Sequence, residues 1–134
     1  AMVAPAAPPR HQLLVVDDDP VFLRMVCSFL AESYEVAAAG SGAQALQYLA
    51  DHHPELVLLD YEMPVLNGPM VLESIRSELR LKDLPVYFLT GVDDRQSVER
   101  VLALHPDGYV LKSSGRQKLL EVVGAFFKHP PRKP

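Results

Sequence analysis

Five short apolar runs, each followed by residues at helical spacing, set the layout of this chain. The runs are Gln12 to Val16, Tyr34 to Ala38, Glu55 to Leu59, Pro85 to Leu89 and Tyr109 to Leu111. Short apolar segments bounded by turn residues predict strands. Leu56-Val57-Leu58-Leu59 lacks alternation, as expected of a strand buried on both faces. Ala37-Ala38-Ala39 makes the second strand weak.

The intervening stretches predict helices. Phe22, Met25, Val26, Phe29 and Leu30 share one face of the first, and Leu46, Leu49 and Ala50 one face of the second. Met70 to Leu79 forms the third, with Val71, Leu72, Ile75 and Leu79 inward. The fourth runs from about Asp94 to Leu104, with Val98, Val101 and Leu102 inward. The last presents Leu119, Val122, Val123, Phe126 and Phe127. Asp19 caps the first helix and Pro20 takes its first position, where a missing N–H costs nothing. Ser41 with Gln44, and Ser114 with Gln117, have capping-box spacing. The fourth helix stops before Pro106, because a residue preceding proline avoids the helical region. Strand–helix alternation predicts a three-layer α/β/α sandwich around a parallel sheet with right-handed crossovers.

Composition narrows this little. The 134 residues, 49% hydrophobic and 22% charged, fit one soluble domain with a real core. A net charge of -4 argues against direct nucleic-acid binding by this domain. The single cysteine, Cys27, forms no internal disulfide and favours a reducing, cytoplasmic compartment. No apolar run approaches the ~20 residues of a membrane span. Ala1 to Pro9 lacks the layout of a signal peptide. Residues 1–10 are expected to be disordered, with Ala1-Met2 reading as an expression scar. Residues 11–127 are expected to form the domain, and 128–134 a basic, Pro-rich tail or truncated linker.

The chemistry sits at the ends of the strands. Asp17-Asp18-Asp19 follows the first run, Asp60 the third, Thr90 the fourth and Lys112 the fifth. In an open parallel sheet, ligands bind beyond the carboxyl ends of the strands, so these groups converge. Two carboxylates ~4 Å apart repel by about 4 kcal/mol at an effective dielectric near 20. Either one stays protonated or a cation neutralises them. Hard oxygen ligands with room for water suit Mg²⁺ and phosphate. A carboxylate such as Asp60 can attack phosphorus to form an acyl phosphate. Lys112 can offset phosphoryl charge and Thr90 can donate to a phosphoryl oxygen, with Gly91 leaving space. Taken singly, each piece has a plainer reading. The acidic run is a helix cap, Thr90 a turn residue, Lys112 a solvated charge and Tyr109 half-buried packing.

Jointly, the pieces resemble the receiver domain of a two-component response regulator, of the chemotaxis-regulator type. The resemblance rests on Leu-Val-Val-Asp-Asp-Asp-Pro at 14–20, Asp-Tyr-Glu-Met-Pro-Val-Leu-Asn-Gly at 60–68, Leu-Thr-Gly at 89–91 and Gly-Tyr-Val-Leu-Lys at 108–112. It spans about His11 to Phe127 and implies a flavodoxin-like sheet in the order 2-1-3-4-5. It also implies that Asp60 accepts a phosphoryl group from a phosphohistidine on a sensor kinase or phosphotransfer protein. Asp18, Asp60 and the backbone carbonyl of Glu62 would hold Mg²⁺ directly, and Asp17 through a bound water. Thr90 and Lys112 would bind phosphoryl oxygens. Tyr109 would turn inward as Thr90 moves, reshaping the fourth helix, fifth strand and fifth helix toward an effector or a phosphorylation-dependent homodimer. Leu23 and Cys27, on one stripe of the first helix, are candidates for an exposed surface that docks the kinase, with ordinary packing as the plainer reading.

Two departures stand out. The family usually places a cis proline after the lysine, whereas Ser113 follows Lys112 here. A cis bond before a non-proline residue costs ~2.5–4 kcal/mol, so a trans bond and a rearranged loop are expected. His105-Pro106 replaces the small residues usual before the fifth strand. Other function classes stay open. A pseudo-receiver would bind partners without phosphorylation. An aspartyl-phosphate hydrolase would share the Asp-x-Asp spacing of Asp17 and Asp19, but Pro20-Val21-Phe22 and the short chain leave no cap domain.

Overall fold

The computed structural model describes residues 9–91 and 95–129. Expectations for residues 1–8 and 130–134, and for a helix start at Asp94, lie outside the described residues. The elements are β1 (Gln12–Val16), α1 (Pro20–Ala31), β2 (Glu35–Ala39), α2 (Gly42–Asp51), β3 (Leu56–Asp60), α3 (Gly68–Ser77), β4 (Val86–Thr90), α4 (Arg95–Ala103), β5 (Gly108–Leu111) and α5 (Gly115–Lys128). All strand pairs are parallel, in the order β2-β1-β3-β4-β5. This is the flavodoxin-like arrangement.

Alternating strand residues feed two cores. Leu14, Val16, Val57, Leu59, Val86 and Phe88 pack under α2, α3 and α4. Leu13, Val15, Leu56, Leu58, Leu89 and Val110 pack under α1 and α5. β3 is buried along its whole length, which explains its unbroken apolar run. Fully burying each such Leu or Val contributes roughly 1.5–3 kcal/mol, so the central strands hold the sheet rigid.

Helix phasing departs from the expected faces. Met25, Ala50 and Leu102 point outward, while their neighbours Val26, Leu49 and Val101 are buried. Adjacent residues on a helix lie 100° apart, and in each of these pairs the phase of the helix turns only one toward the core. Ala45, not Ala50, completes the inner face of α2. Leu79 is 82% exposed because α3 ends at Ser77 and the periodic face does not continue. α3 starts at Gly68, two residues before the expected Met70, because Asn67 Oδ1 accepts from Met70 N at 2.9 Å.

Candidate functional site

The strand register fixes the levels of the site residues. Val16 is level with Leu59, so the following Asp17 and Asp60 are level too. Asp60 pairs with Leu89, which puts Thr90 one step further on. Thr90 pairs with Leu111, which puts Lys112 one step beyond that. Each step is about 3.3 Å, so the Lys112 backbone stands some two steps above the acids and its long side chain reaches back to them.

The Lys112 Nζ lies 2.8 Å from Asp17 Oδ2 and 3.2 Å from Asp60 Oδ1. It also sits over the Phe22 ring, 4.7 Å from the centroid. The Lys112–Ser113 peptide is trans, as expected for this sequence. The loop is rearranged into a 3-10 turn, Lys112–Ser114, closed by Gly115 at φ +85°. The Ser114–Gln117 capping box does not form. Ser114 has helical backbone angles rather than the extended ones a cap needs, and its Oγ donates to Leu111 O. By contrast, Asp19 Oδ1 accepts from Val21 N and Phe22 N, and Ser41 Oγ accepts from Gln44 N, as expected.

Asp17, Asp18 and Asp60 each offer a carboxylate oxygen, all within 4.8 Å of one another. Asp17 and Asp60 are buried and Asp18 is exposed. Asp17 Oδ1 accepts from Asp19 N at 2.9 Å. Its Oδ2 is buried without a hydrogen bond, since the approach of Lys112 is an ion-pair contact only. Asp60 Oδ1 also accepts from Glu62 N at 3.4 Å. Burial pushes the Asp60 carboxyl up, the Asp17 charge adds to that, and Lys112 pulls the other way, leaving it at about 7. Burial would lower the Lys112 ammonium, but Asp17 and Asp60 outweigh it and hold it above its ordinary value. Three oxygen donors around a single lysine, one of them buried with only an ion-pair contact, match a small hard cation such as Mg²⁺. Among the described residues, no cysteine or histidine joins this cluster.

Thr90 is buried at the end of β4. Among the described residues, a Cβ on Gly91 would meet nothing within 4 Å, which leaves space beside Thr90. Tyr109 is exposed at 36%, on the surface of β5. Leu23 and Cys27 are half-buried and pack against the core between the sheet, α1 and α5, which tempers the expectation of an exposed stripe.

Two residues at the site were not singled out for it by sequence reasoning. Helical spacing marked Phe22 as core, and nothing in that pattern signals a ring beneath an ammonium. Gly68 was noticed only as part of a motif. A Cβ there would collide with the Asp60 carbonyl oxygen and lie 2.8 Å from Tyr61 Cα. Only glycine lets α3 pack this closely on the backbone of Asp60.

A sheet in this order, with an acid pocket and a lysine at its carboxyl edge, defines a receiver-type α/β domain. The profile of the response regulator receiver domain matches residues 13–124, and the chain belongs to that family, the signalling modules of two-component systems. It is 33% identical over 126 residues to the DNA-binding response regulator MtrA of Mycolicibacterium smegmatis, covering 93% of this chain and 54% of that protein. It is 36% identical over 100 residues to a probable cyclic di-GMP phosphodiesterase of Vibrio cholerae, covering 75% of this chain and 23% of that protein. The chain therefore spans about half or less of these relatives. Among solved structures, the chemotaxis response regulator CheY4 of Vibrio cholerae superposes with a TM-score of 0.80 at 25% identity, covering 87% of this chain and 98% of that one. Among the described residues, no helix is long and apolar enough to cross a membrane.

Proposed function

We propose that this domain is a phosphoacceptor switch in which Asp60 takes a phosphoryl group from a phosphohistidine. The observation that carries this reading is one buried carboxylate, Asp60, held between two further acids and the Lys112 ammonium. An Asp60 carboxylate oxygen attacks phosphorus and forms the new P–O bond. The P–N bond to the donor imidazole breaks, and its electron pair stays on that nitrogen. Lys112 offsets charge on the phosphoryl oxygens, and the Thr90 hydroxyl donates to one of them. Asp18, Asp60 and the Glu62 carbonyl would hold Mg²⁺, with Asp17 acting through water. When bound, Mg²⁺ supplies positive charge that offsets the acids and the incoming phosphoryl group. The added charge of about -1.5 to -2 then draws Thr90 toward the phosphate, and Tyr109 turns inward to change the face formed by α4, β5 and α5.

On this reading the partners are a sensor histidine kinase or phosphotransfer protein upstream and an effector domain or protein downstream, in the cytoplasm. The domain catalyses its own phosphorylation and dephosphorylation and turns over no external metabolite. The test is intact mass spectrometry after incubation with acetyl phosphate and with a phosphorylated histidine donor, with and without Mg²⁺. A single phosphate adduct that requires both Mg²⁺ and Asp60 is expected. Absence of an adduct with either donor, on folded protein, would favour a pseudo-receiver. Steady release of phosphate from a generic ester would favour a hydrolase.

A further inference from the structure

The phosphoacceptor reading uses Lys112 but leaves open what holds it, since Ser113 provides no proline restraint. α1 presents two phenylalanines seven residues apart, Phe22 and Phe29. Each receives a cation from the turn after β5 and the start of α5. The Lys112 Nζ lies 4.7 Å from the Phe22 centroid, and the Arg116 guanidinium carbon 5.1 Å from that of Phe29. Arg116 is also tied to α1 through Glu32. Lys112 and Arg116 are four residues apart, so two rings two turns apart on α1 meet two cations across the α1–α5 seam.

We propose that Phe22 is a positioning residue for the phosphoryl-transfer reaction, seating the Lys112 ammonium through a cation–π contact. This inference rests on the phosphoacceptor reading. Among the described residues, the ammonium also pairs with the carboxylates of Asp17 and Asp60. Asp60 loses its charge as its oxygen bonds to phosphorus, so that partner weakens as the reaction proceeds. The ring carries no net charge and does not compete with the phosphoryl oxygens. It holds the ammonium at the site through the change, and the interaction strengthens where water is excluded. The trans Lys112–Ser113 turn, open to solvent on the Ser113 side, gives no equivalent constraint.

The test compares Phe22→Leu, Phe22→Tyr and, as a control on the same seam, Phe29→Leu. Phosphorylation by acetyl phosphate with Mg²⁺ should slow about fivefold in Phe22→Leu and recover in Phe22→Tyr. Phe29→Leu should keep the wild-type rate, and Phe22→Leu should add no further loss in a Lys112→Met background. Independently, in the metal-free protein, the lysine ε-methylene protons that disappear in Lys112→Met should lie upfield, shifted by the ring. That shift should vanish in Phe22→Leu and persist in Phe22→Tyr. An unchanged rate in folded Phe22→Leu, an equal loss in Phe29→Leu, or an absent ring shift would overturn the proposal. If the wild-type protein accepts no phosphoryl group, the phosphoacceptor reading fails, and the ε-methylene shift still decides whether Phe22 seats Lys112.

Discussion

The two ends of this sheet treat charge in opposite ways, half-exposed and paired at one and buried at the other. At the amino end of β4, Asp107 Oδ2 accepts from Val86 N at 2.8 Å and Arg76 Nη2 at 2.9 Å. Arg76 Nη1 donates to Leu84 O at 2.6 Å. Carboxylate, guanidinium and backbone satisfy one another, and the clasp ties α3 to the start of β5. At the carboxyl end, two buried carboxylates share one ammonium, and one oxygen of Asp17 has no hydrogen bond. Charge that is fully paired fixes structure. Negative charge left short of positive partners is a standing demand for a cation, and it disfavours the empty state.

The sharpest way to break this contrast is at Asp60. Asp60→Asn should abolish phosphate uptake in the mass-spectrometric assay while leaving the fold intact. The same substitution should reveal the cost of the acid pair. With a native value of about 7 against an ordinary 3.8, the folded protein keeps a proton that the unfolded chain loses between these values. Metal-free wild-type stability should therefore fall as pH rises through that window. Asp60→Asn should flatten the fall, with the larger gain in melting temperature at pH 8 than at pH 5. A parallel pH dependence in both proteins would remove Asp60 as its source.

A smaller effect is expected at Gly68→Ala. The added methyl must displace either α3 or the Asp60 backbone, costing about 1–3 kcal/mol as overpacking does, and phosphorylation of the folded fraction should slow. Denaturant melts and adduct kinetics on the same samples separate the two. At the other end of the sheet, Arg76→Met should cost about 1 kcal/mol, because the half-exposed ion pair with Asp107 and the bond to the Leu84 carbonyl are lost while water resolvates Asp107. Its phosphorylation rate should match the wild type, and a slowed rate would mean that the two ends are coupled. The smallest effect is expected in the loop after Asp60. Val65 has φ +67° at 94% exposure, a conformation that β-branched residues rarely adopt. Val65→Gly should stabilise by up to about 1 kcal/mol in chemical denaturation, or break even if the flexible unfolded chain offsets the relieved strain.

Much of this was legible in the sequence because the site residues terminate apolar runs. Asp60 and Thr90 end their strands, Asp17 and Lys112 directly follow theirs, and parallel pairing brings strand ends together. What stayed hidden depends on helix phase and on contacts between elements. Periodicity could not choose between Met25 and Val26, or between Leu102 and Val101, because both members of each pair are apolar. Leu79 continued the pattern of α3 in letters only, since the chain had already left the helix at Ser77. Ser114 had the spacing of a cap but was drawn into the turn after Lys112. Phe22 beneath Lys112 joins positions far apart in the chain and follows only once α1 is packed beside α5.

At the rim opposite the acids, His11 stacks on Phe127 with ring centroids 4.2 Å apart, and Glu55 holds the other side of the imidazole through Nδ1 at 2.8 Å. The first strand and the last helix are thus stapled together where the polypeptide threads in and out. A module whose two ends share one doorway can be spliced into a longer chain like a cassette, with little disturbance on either side. Anything fused at that doorway would hang from the rim remote from Asp60, so news of phosphorylation would have to cross the body of the domain to reach it.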